Sequence, residues 1–503
     1  MGRMFNLSRV HWLTVSKGGT EQPVNLVESL TDAHEIREIT GLSPVETAAV
    51  YRLLVVLAHR VLQGPHSKKE WERAWKRGRF EENAVRAYFD RWGERFDLFA
   101  EGRPFMQSST ARSSVKGGPH IVRRLVMETC NFGAAVHLFV EARDPAENDR
   151  LSPARAASAL LAYQAFAPGG MTMGESGKAA PLCGSCVIVP QGANLFETLM
   201  LNVIPSPYVR QDVPAWEADH EATAKCARRA HGPLDRLTWQ SRRMALSLSP
   251  EGYVDGIAYL AGDELEDEEP DIMCARVKIK DEWRPIGLHR ERAAWGSAHA
   301  ILRSSDTTSR PAVLDHVASV RDIIGPDKAI SLAVYGLASY QKRIDLARAE
   351  ILPVTPEVLA SEAKLALLQR AMERLGVIDD ALRVATWMWA HAALPSAHKE
   401  TVKATANGAR SRGFFWGAMA APFERLLLEL AWTESGEAAV DLFLRDAEAT
   451  ARSALHLSTR ARAGVSVRAL RAVTIAESVL RSKLRGATTP TPEESTDEHV
   501  STD

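Results

Sequence analysis

Two hydrophobic periods share this chain, one dominating before about Tyr340 and the other after Pro356. Residues 12–15, 237–248 and 253–260 are apolar runs bounded by Gly or Pro, which predicts strands. Ser249-Pro250-Glu251-Gly252, between the last two runs, has the composition of a hairpin connection. Helical stretches interrupt the strands. Ser43-Pro44 supplies an N-cap and a first-turn Pro for a helix to about Leu62, and Glu46 is placed to complete a capping box. Ser152-Pro153 repeats the start signal for a helix that must end by Pro168-Gly169-Gly170. Beyond Pro356 the apolar residues recur every three or four positions, as in Leu365, Leu368, Met372 and Leu375, then Phe423, Leu427 and Leu430. Four or five helices are expected between Glu357 and Arg485, which suits an antiparallel bundle. From Gly486 the chain is polar and rich in Pro, Thr and Glu, which predicts disorder.

The predicted class is therefore α+β. A large mixed α/β domain spans residues 1–356, a helical bundle residues 357–485 and a disordered tail residues 486–503. The 503 residues carry 62 Lys+Arg against 63 Asp+Glu, so nucleic acid would have to be held by local patches rather than by bulk charge. The five Cys are too few for a disulfide scaffold and point to a reducing compartment. No signal-peptide-like start or apolar run of about 18 residues is present, so a cytoplasmic protein without a membrane span is expected.

Candidate chemistry is sparse. Gly174-Glu175-Ser176-Gly177-Lys178 is similar to a phosphate-binding loop, but Thr172 stands where that motif needs its first Gly and Ala179 where it needs Ser or Thr. A nucleotide-dependent enzyme using this stretch is the alternative reading. The glycines of residues 169–177 allow close backbone approach to a ligand, a flexible surface loop being the plainer account. Cys183-Gly184-Ser185-Cys186 has metal-ligand spacing, with Cys130, Cys226 and Cys274 as completing ligands, yet only one close pair exists and buried free thiols fit better. His220-Glu221 lacks the second His of a zinc-protease helix, since Ala224 stands there. The acidic run at residues 263–271 reads as a solvated loop. With no catalytic constellation and no implied cofactor, a binding protein is favoured over an enzyme.

Basic patches fit that reading. Arg452, Arg460, Arg462, Arg468, Arg471, Arg481, Lys483 and Arg485 share the last helices, and Arg112, Lys116, Arg123 and Arg124 precede Cys130. Lys278 and Lys280 alternate along an expected strand and so should share a face. Such patches meet phosphates with salt-dependent strength, although on charge alone a solvated face is the favoured account.

Several segments in order resemble the CasA family, the large subunit of type I-E CRISPR surveillance complexes (Cascade). They are Phe5-Asn6-Leu7 with Trp12, Phe96-Asp97-Leu98-Phe99 followed by Arg103-Pro104-Phe105-Met106-Gln107, Leu195-Phe196-Glu197-Thr198-Leu199, and Pro214-Ala215-Trp216-Glu217. Leu237-Thr238-Trp239-Gln240-Ser241-Arg242-Arg243 is the most specific, and Phe415-Trp416 with Pro422-Phe423 extends the match. The resemblance implies an α/β domain followed by a C-terminal four-helix bundle. It also implies recognition of the motif flanking a double-stranded DNA target (the PAM), duplex opening without nuclease activity, and recruitment of a helicase–nuclease. Guide RNA and the other Cascade subunits, including the small helical one, are the further partners it implies.

By position, the family's glycine loop resembles residues 169–177, with Gly169 and Gly170 as its close-approach residues. Its groove-reaching lysine corresponds to Lys278 or Lys280, left undecided. Its wedge glutamine corresponds to Gln341, five residues after Gly336. Tyr340 stands where familiar members have Asn, so the preferred flank is expected to differ. Cys130-Asn131-Phe132 corresponds to the loop that touches guide RNA and neighbouring subunits.

Overall fold

The structure, a computed structural model, describes residues 4–111, 120–127, 150–172, 175–207, 209–219, 222–266, 269–289, 292–340, 343–433, 435–460 and 466–488. The chain divides into two compact units, one of residues 1–290 and 297–362, the other of residues 291–296 and 363–503.

The first unit is mixed α/β, and its centre is the helix Pro44–Val61, most of whose residues are buried. Its start follows the sequence signal: Pro44 occupies the first turn, and the Glu46 carboxylate accepts from the Ser43 amide at 3.1 Å. The helix Pro153–Phe166 is capped by Ser152, whose hydroxyl accepts from the Arg155 amide at 3.2 Å, and it stops just before Pro168. Against the helix Pro44–Val61 lies a three-stranded antiparallel sheet in which Ile330–Tyr340 is central, between Arg343–Val354 and Cys186–Gln191.

The expected run at residues 237–248 is two elements. Leu237 closes the short helix Pro233–Leu237, and the strand is only Arg242–Leu248. Pro233 in the first turn starts a helix, and the Thr238 hydroxyl bonds back to Leu234 O at 2.8 Å, which satisfies its last turn. The strand pairs antiparallel with Val254–Ala261 through the expected connection, where Gly252 adopts φ +90°. The acidic run is not a solvated loop at its ends. Asp271 is buried against Arg52 at 2.9 Å, and Asp263 is buried against Arg228 at 2.6 Å. Both carboxylates stay in the interior because a guanidinium meets each one.

Most of the family-like segments form a frame. Leu7 donates its amide to Phe96 O at 3.0 Å and Leu98 donates to Phe5 O at 3.1 Å, so the first two segments zip together. Arg103 donates to Ala215 O and Ala218 O at 2.8 and 2.7 Å, which ties in the segment Pro214-Ala215-Trp216-Glu217. Gln107 bridges Leu98 O at 2.8 Å and the Leu246 amide at 2.8 Å.

In the second unit the helix Glu362–Ala393 is one long leg, and Leu365, Leu368, Met372 and Leu375 are all buried on it. The next leg is broken into Lys399–Ala409, Ser411–Ala418 and Ala420–Trp432, and Glu437–Arg460 and Val467–Thr488 complete a four-helix bundle. The helix count exceeds the four or five expected because Arg410, at φ +56°, interrupts the second leg, just after Asn407-Gly408. Phe423, Leu427 and Leu430 are buried as their spacing predicts, and Trp295 stacks on Phe423 with centroids 4.8 Å apart. The last helix runs to Thr488, two residues beyond the predicted start of the tail at Gly486, and the rest of that tail lies outside the described residues.

Candidate nucleic-acid interface

Three hairpins of the first unit carry the residues singled out above. In the glycine hairpin, Gly170–Thr172 pairs with Glu175–Gly177, Gly170 opposite Gly177. A Cβ on Gly169 would lie 2.8 Å from Ala179 N and 3.3 Å from Gly177 O, and Gly170 adopts φ +145°. The hairpin itself therefore requires both glycines, Gly169 because its backbone lies too close to Ala179 and Gly177 for a side chain and Gly170 because of its left-handed φ.

The hairpin's stalk is clamped by the most specific family-like segment. Arg242 is almost wholly buried, and its guanidinium donates to Ser241 O at 2.8 Å, Pro168 O at 2.9 Å and Lys178 O at 3.0 Å. It thus joins the chain entering the hairpin to the chain leaving it. Burial pushes its pKa below the ordinary arginine value. Next to it, Arg243 donates to the Glu175 carboxylate at 2.7 Å and to Ala261 O at 2.9 Å. Lys225 donates to Ser176 O at 2.9 Å and pairs with Glu264 at 2.8 Å, and this bond holds the Glu264 carboxyl below its ordinary range. Lys178 is exposed and stands 3.6 Å from Glu264, which gives it a carboxylate partner rather than a nucleotide phosphate cradle. In the sequence, Arg242 stands out only as part of a family-like segment and Glu264 only within the acidic run, and Lys225 does not stand out. The available signal was a double arginine inside an apolar run, since charge in a buried strand needs a stated partner.

In the lysine hairpin, Arg276–Ile279 pairs with Glu282–Pro285 and leaves Lys280 and Asp281 as a two-residue turn. Both have positive φ, +49° and +66°, the type I′ geometry that matches the strand twist. Lys278 and Lys280 therefore do not share a strand face as expected: Lys278 is in the strand and Lys280 is in the turn. Lys278 is partly covered and bonded to Asp281 at 3.1 Å. Lys280 is exposed and has no ion-pair partner among the described residues. The guanidinium of Arg276 covers the exposed Trp283 ring at 5.3 Å.

The long hairpin is the Ile330–Tyr340 and Arg343–Val354 pair, with a bulge between Ala338 and Ser339 and with Tyr340 opposite Arg343. Gln341 lies outside the described residues, as do Cys130, Asn131 and Phe132, Arg112 and Lys116, Arg462, and His220 with Glu221. Arg124 bonds the Tyr259 hydroxyl at 3.4 Å.

The lysine hairpin and the long hairpin share a root in Cys183-Gly184-Ser185-Cys186, which lies further along the chain from Gly177, the last strand residue of the glycine hairpin. The Cys186 amide donates to Ile286 O at 2.7 Å, just past the lysine hairpin, and a Cβ on Gly287 would lie 2.5 Å from Gly184 O. A Cβ on Gly336 of the long hairpin would lie 3.0 Å from Ser185 O. Cys186 and Cys274 are buried free thiols, and burial drives the Cys186 pKa up to about 12. Among the described residues no group of three or more His, Cys, Asp or Glu is placed to hold a metal, and no helix is long and apolar enough to cross a membrane.

A mixed α/β unit followed by a helical bundle is the architecture of a known class of CRISPR-associated proteins. The chain belongs to the CRISPR-associated protein Cse1 family, whose model matches residues 6–458. It is 30% identical over 494 residues to the CRISPR-associated protein CasA/Cse1 of Thermus thermophilus, covering 93% of this chain and 95% of that protein. The solved structure of Thermus thermophilus CasA (Cse1) superposes with a TM-score of 0.82 at 28% identity, covering 96% of this chain and 99% of that one. A chain of a CRISPR RNA-guided surveillance complex shares the fold at 20% identity, with a TM-score of 0.70 and coverage of 95% of this chain and 99% of that one. The resemblance read from the ordered segments holds.

Proposed function

We propose that the chain is the large, non-catalytic subunit of a type I-E CRISPR RNA-guided surveillance complex in the cytoplasm. It reads the motif flanking a target in double-stranded DNA, starts duplex opening, and helps recruit a helicase–nuclease. Guide RNA and the other Cascade subunits, including the small helical one, are its partners, and residues 130–132 contact the RNA or a neighbouring subunit. The domain plan of the reading is an α/β domain over residues 1–356, a bundle over residues 357–485 and a tail beyond.

The observation that carries this reading is that residues 184–186 meet the lysine hairpin and the long hairpin by main-chain contact, while Arg242 clamps the stalk of the glycine hairpin earlier in the same stretch of chain. Gly169 and Gly170 keep the first hairpin narrow enough to lie against a groove. Lys280 is the groove reader rather than Lys278, because it occupies the turn in a left-handed conformation that a Lys adopts at a cost of about 1–2 kcal/mol. Gln341, with Tyr340 before it, is the wedge that disturbs base stacking.

The test is binding of the reconstituted, guide-loaded complex to one target beside a library of flanking sequences. Lys280→Ala and Gln341→Ala are expected to weaken binding to the preferred flank about tenfold or more, on the scale of one lost base-pair contact, while Lys278→Ala changes it less. Flank-independent binding by the unaltered complex would overturn motif reading. Equal losses for Lys278→Ala and Lys280→Ala would overturn the choice between the lysines.

A further inference from the structure

The last helix, Val467–Thr488, presents a stripe that the function above does not use. Arg471, Thr474, Ser478, Arg481 and Arg485 recur at steps of three and four, so they lie along one face, and all five are exposed. Arg468 is exposed one turn before the first of them. Among the described residues neither Arg468, Arg471 nor Arg481 has an ion-pair partner, and Glu477 is the only acid on the helix. The small residues between the arginines leave the face open to an extended strand of negative charge.

The chain carries such a strand. Residues 489–503, beyond the residues matched by the family, hold Glu493, Glu494, Asp497, Glu498 and Asp503 and no Lys or Arg. Fifteen extended residues reach roughly 50 Å, and the 22-residue helix is about 33 Å long, so the segment can turn back along the whole stripe. Glu493 and Glu494 then come level with Arg485 and Arg481, and Asp497 and Glu498 come within reach of Arg471.

We propose that residues 489–503 dock along the Arg471–Arg481–Arg485 face as an internal polyanion and compete there with nucleic-acid phosphates. A tether this short gives the segment an effective concentration of order millimolar, enough to displace weakly held, non-specific DNA without blocking a tightly held target. The device tunes background binding and does not depend on motif reading.

The experiment compares the full chain with one ending at Thr488, each with and without Arg471→Gln/Arg481→Gln, for binding of a fluorescent 30-base single strand of random sequence. Truncation is expected to tighten binding about tenfold at 50 mM salt and less than twofold at 300 mM, because the competition is electrostatic. In the double-arginine background truncation should have no effect. A labelled peptide of residues 489–503 should bind the truncated chain at 50 mM salt and lose that binding with the arginine changes. Unchanged DNA affinity on truncation would overturn the proposal. So would a truncation effect that persists in the double-arginine background, since the segment would then act elsewhere.

Discussion

Replacing Arg242 with Met tests whether the glycine hairpin is a held element or a loose one. The guanidinium makes three hydrogen bonds to main-chain carbonyls at 2.8, 2.9 and 3.0 Å, and its Nε has no partner. Bonds from a charged donor contribute roughly 1.5–3 kcal/mol each, so their sum is about 4–9 kcal/mol. Against this stands the desolvation of a buried cation that no carboxylate neutralises at bonding distance, a cost of several kcal/mol that Met does not carry. The balance is a loss of roughly 2–4 kcal/mol, confined to the stalk because the carbonyls of Pro168 and Lys178 are left without their donor. Hydrogen exchange should show it as faster exchange at residues 168–180, with little change at residues 44–61. Urea unfolding should move by the same free energy in the transition that exposes those amides. Arg242→Lys is expected to recover only part of the loss, since one ammonium cannot span three carbonyls in the planar fork geometry. A change under about 1 kcal/mol for Arg242→Met, with protection of the hairpin intact, would show that the clamp contributes nothing net.

Other outcomes follow from the same geometry. His316 is buried edge-on to Trp71, and burial lowers its pKa to about 4 from an ordinary 6.5. The unfolded chain therefore takes up this proton first. Stability is complete above pH 6.5, falls as pH drops toward 4, and is lost at up to about 1.4 kcal/mol per pH unit for this one group. His316→Phe should flatten the urea midpoint between pH 6.5 and 4, and an unchanged slope would refute the assignment. Lys280→Asn should raise hairpin stability by about 1 kcal/mol, because Asn tolerates the left-handed turn, while lowering flank discrimination. Thermal unfolding and DNA binding should thus move in opposite directions. Gly287→Ala forces a Cβ to within 2.5 Å of Gly184 O, so exchange should quicken across residues 182–188, and an unaffected segment would count against the shared root. Thiol reagents at pH 8 should label exposed Cys226 well before buried Cys186 and Cys274, read by peptide mass spectrometry.

Local signals were legible where local physics decides. The Ser43 and Ser152 helix starts, the connection ending in Gly252, and the apolar faces around Leu368 and Phe423 all appear as the sequence predicts. What was not legible depends on contacts far apart in sequence. Arg242 sits 74 residues from Pro168 and 64 from Lys178, and no spacing rule relates such distant positions. The strand assumed to begin at Leu237 begins at Arg242 because Pro233 nucleates a helix that uses Leu237 first. Lys278 and Lys280 read as neighbours on a strand because nothing in Lys-Ile-Lys-Asp has the Asn-Gly signature of a two-residue turn. The acid run read as solvated because its partners, Arg52 and Arg228, come from other elements.

The same distinction explains why Cys183-Gly184-Ser185-Cys186 misleads as a sequence. Its sulfur spacing suggests metal, yet the structure uses the segment's main chain: Gly184 O and Ser185 O face Gly287 and Gly336, and the Cys186 amide bonds Ile286 O. Contacts of this kind fix where a hairpin starts without specifying the side chains at its far end. Lys280, in the turn of its hairpin, takes no part in these root contacts. A scaffold that holds its hairpins by carbonyls, amides and missing Cβ atoms does not dictate the side chains at the hairpin ends. The ordered family segments fit this division, because Phe5 to Leu7, Phe96 to Leu98, Gln107 and Arg242 all bond main-chain groups of the frame, and none of them is one of the candidate DNA-reading residues. Family membership is therefore read most clearly from residues that build the frame, and specificity must be sought in residues whose identity the fold does not dictate.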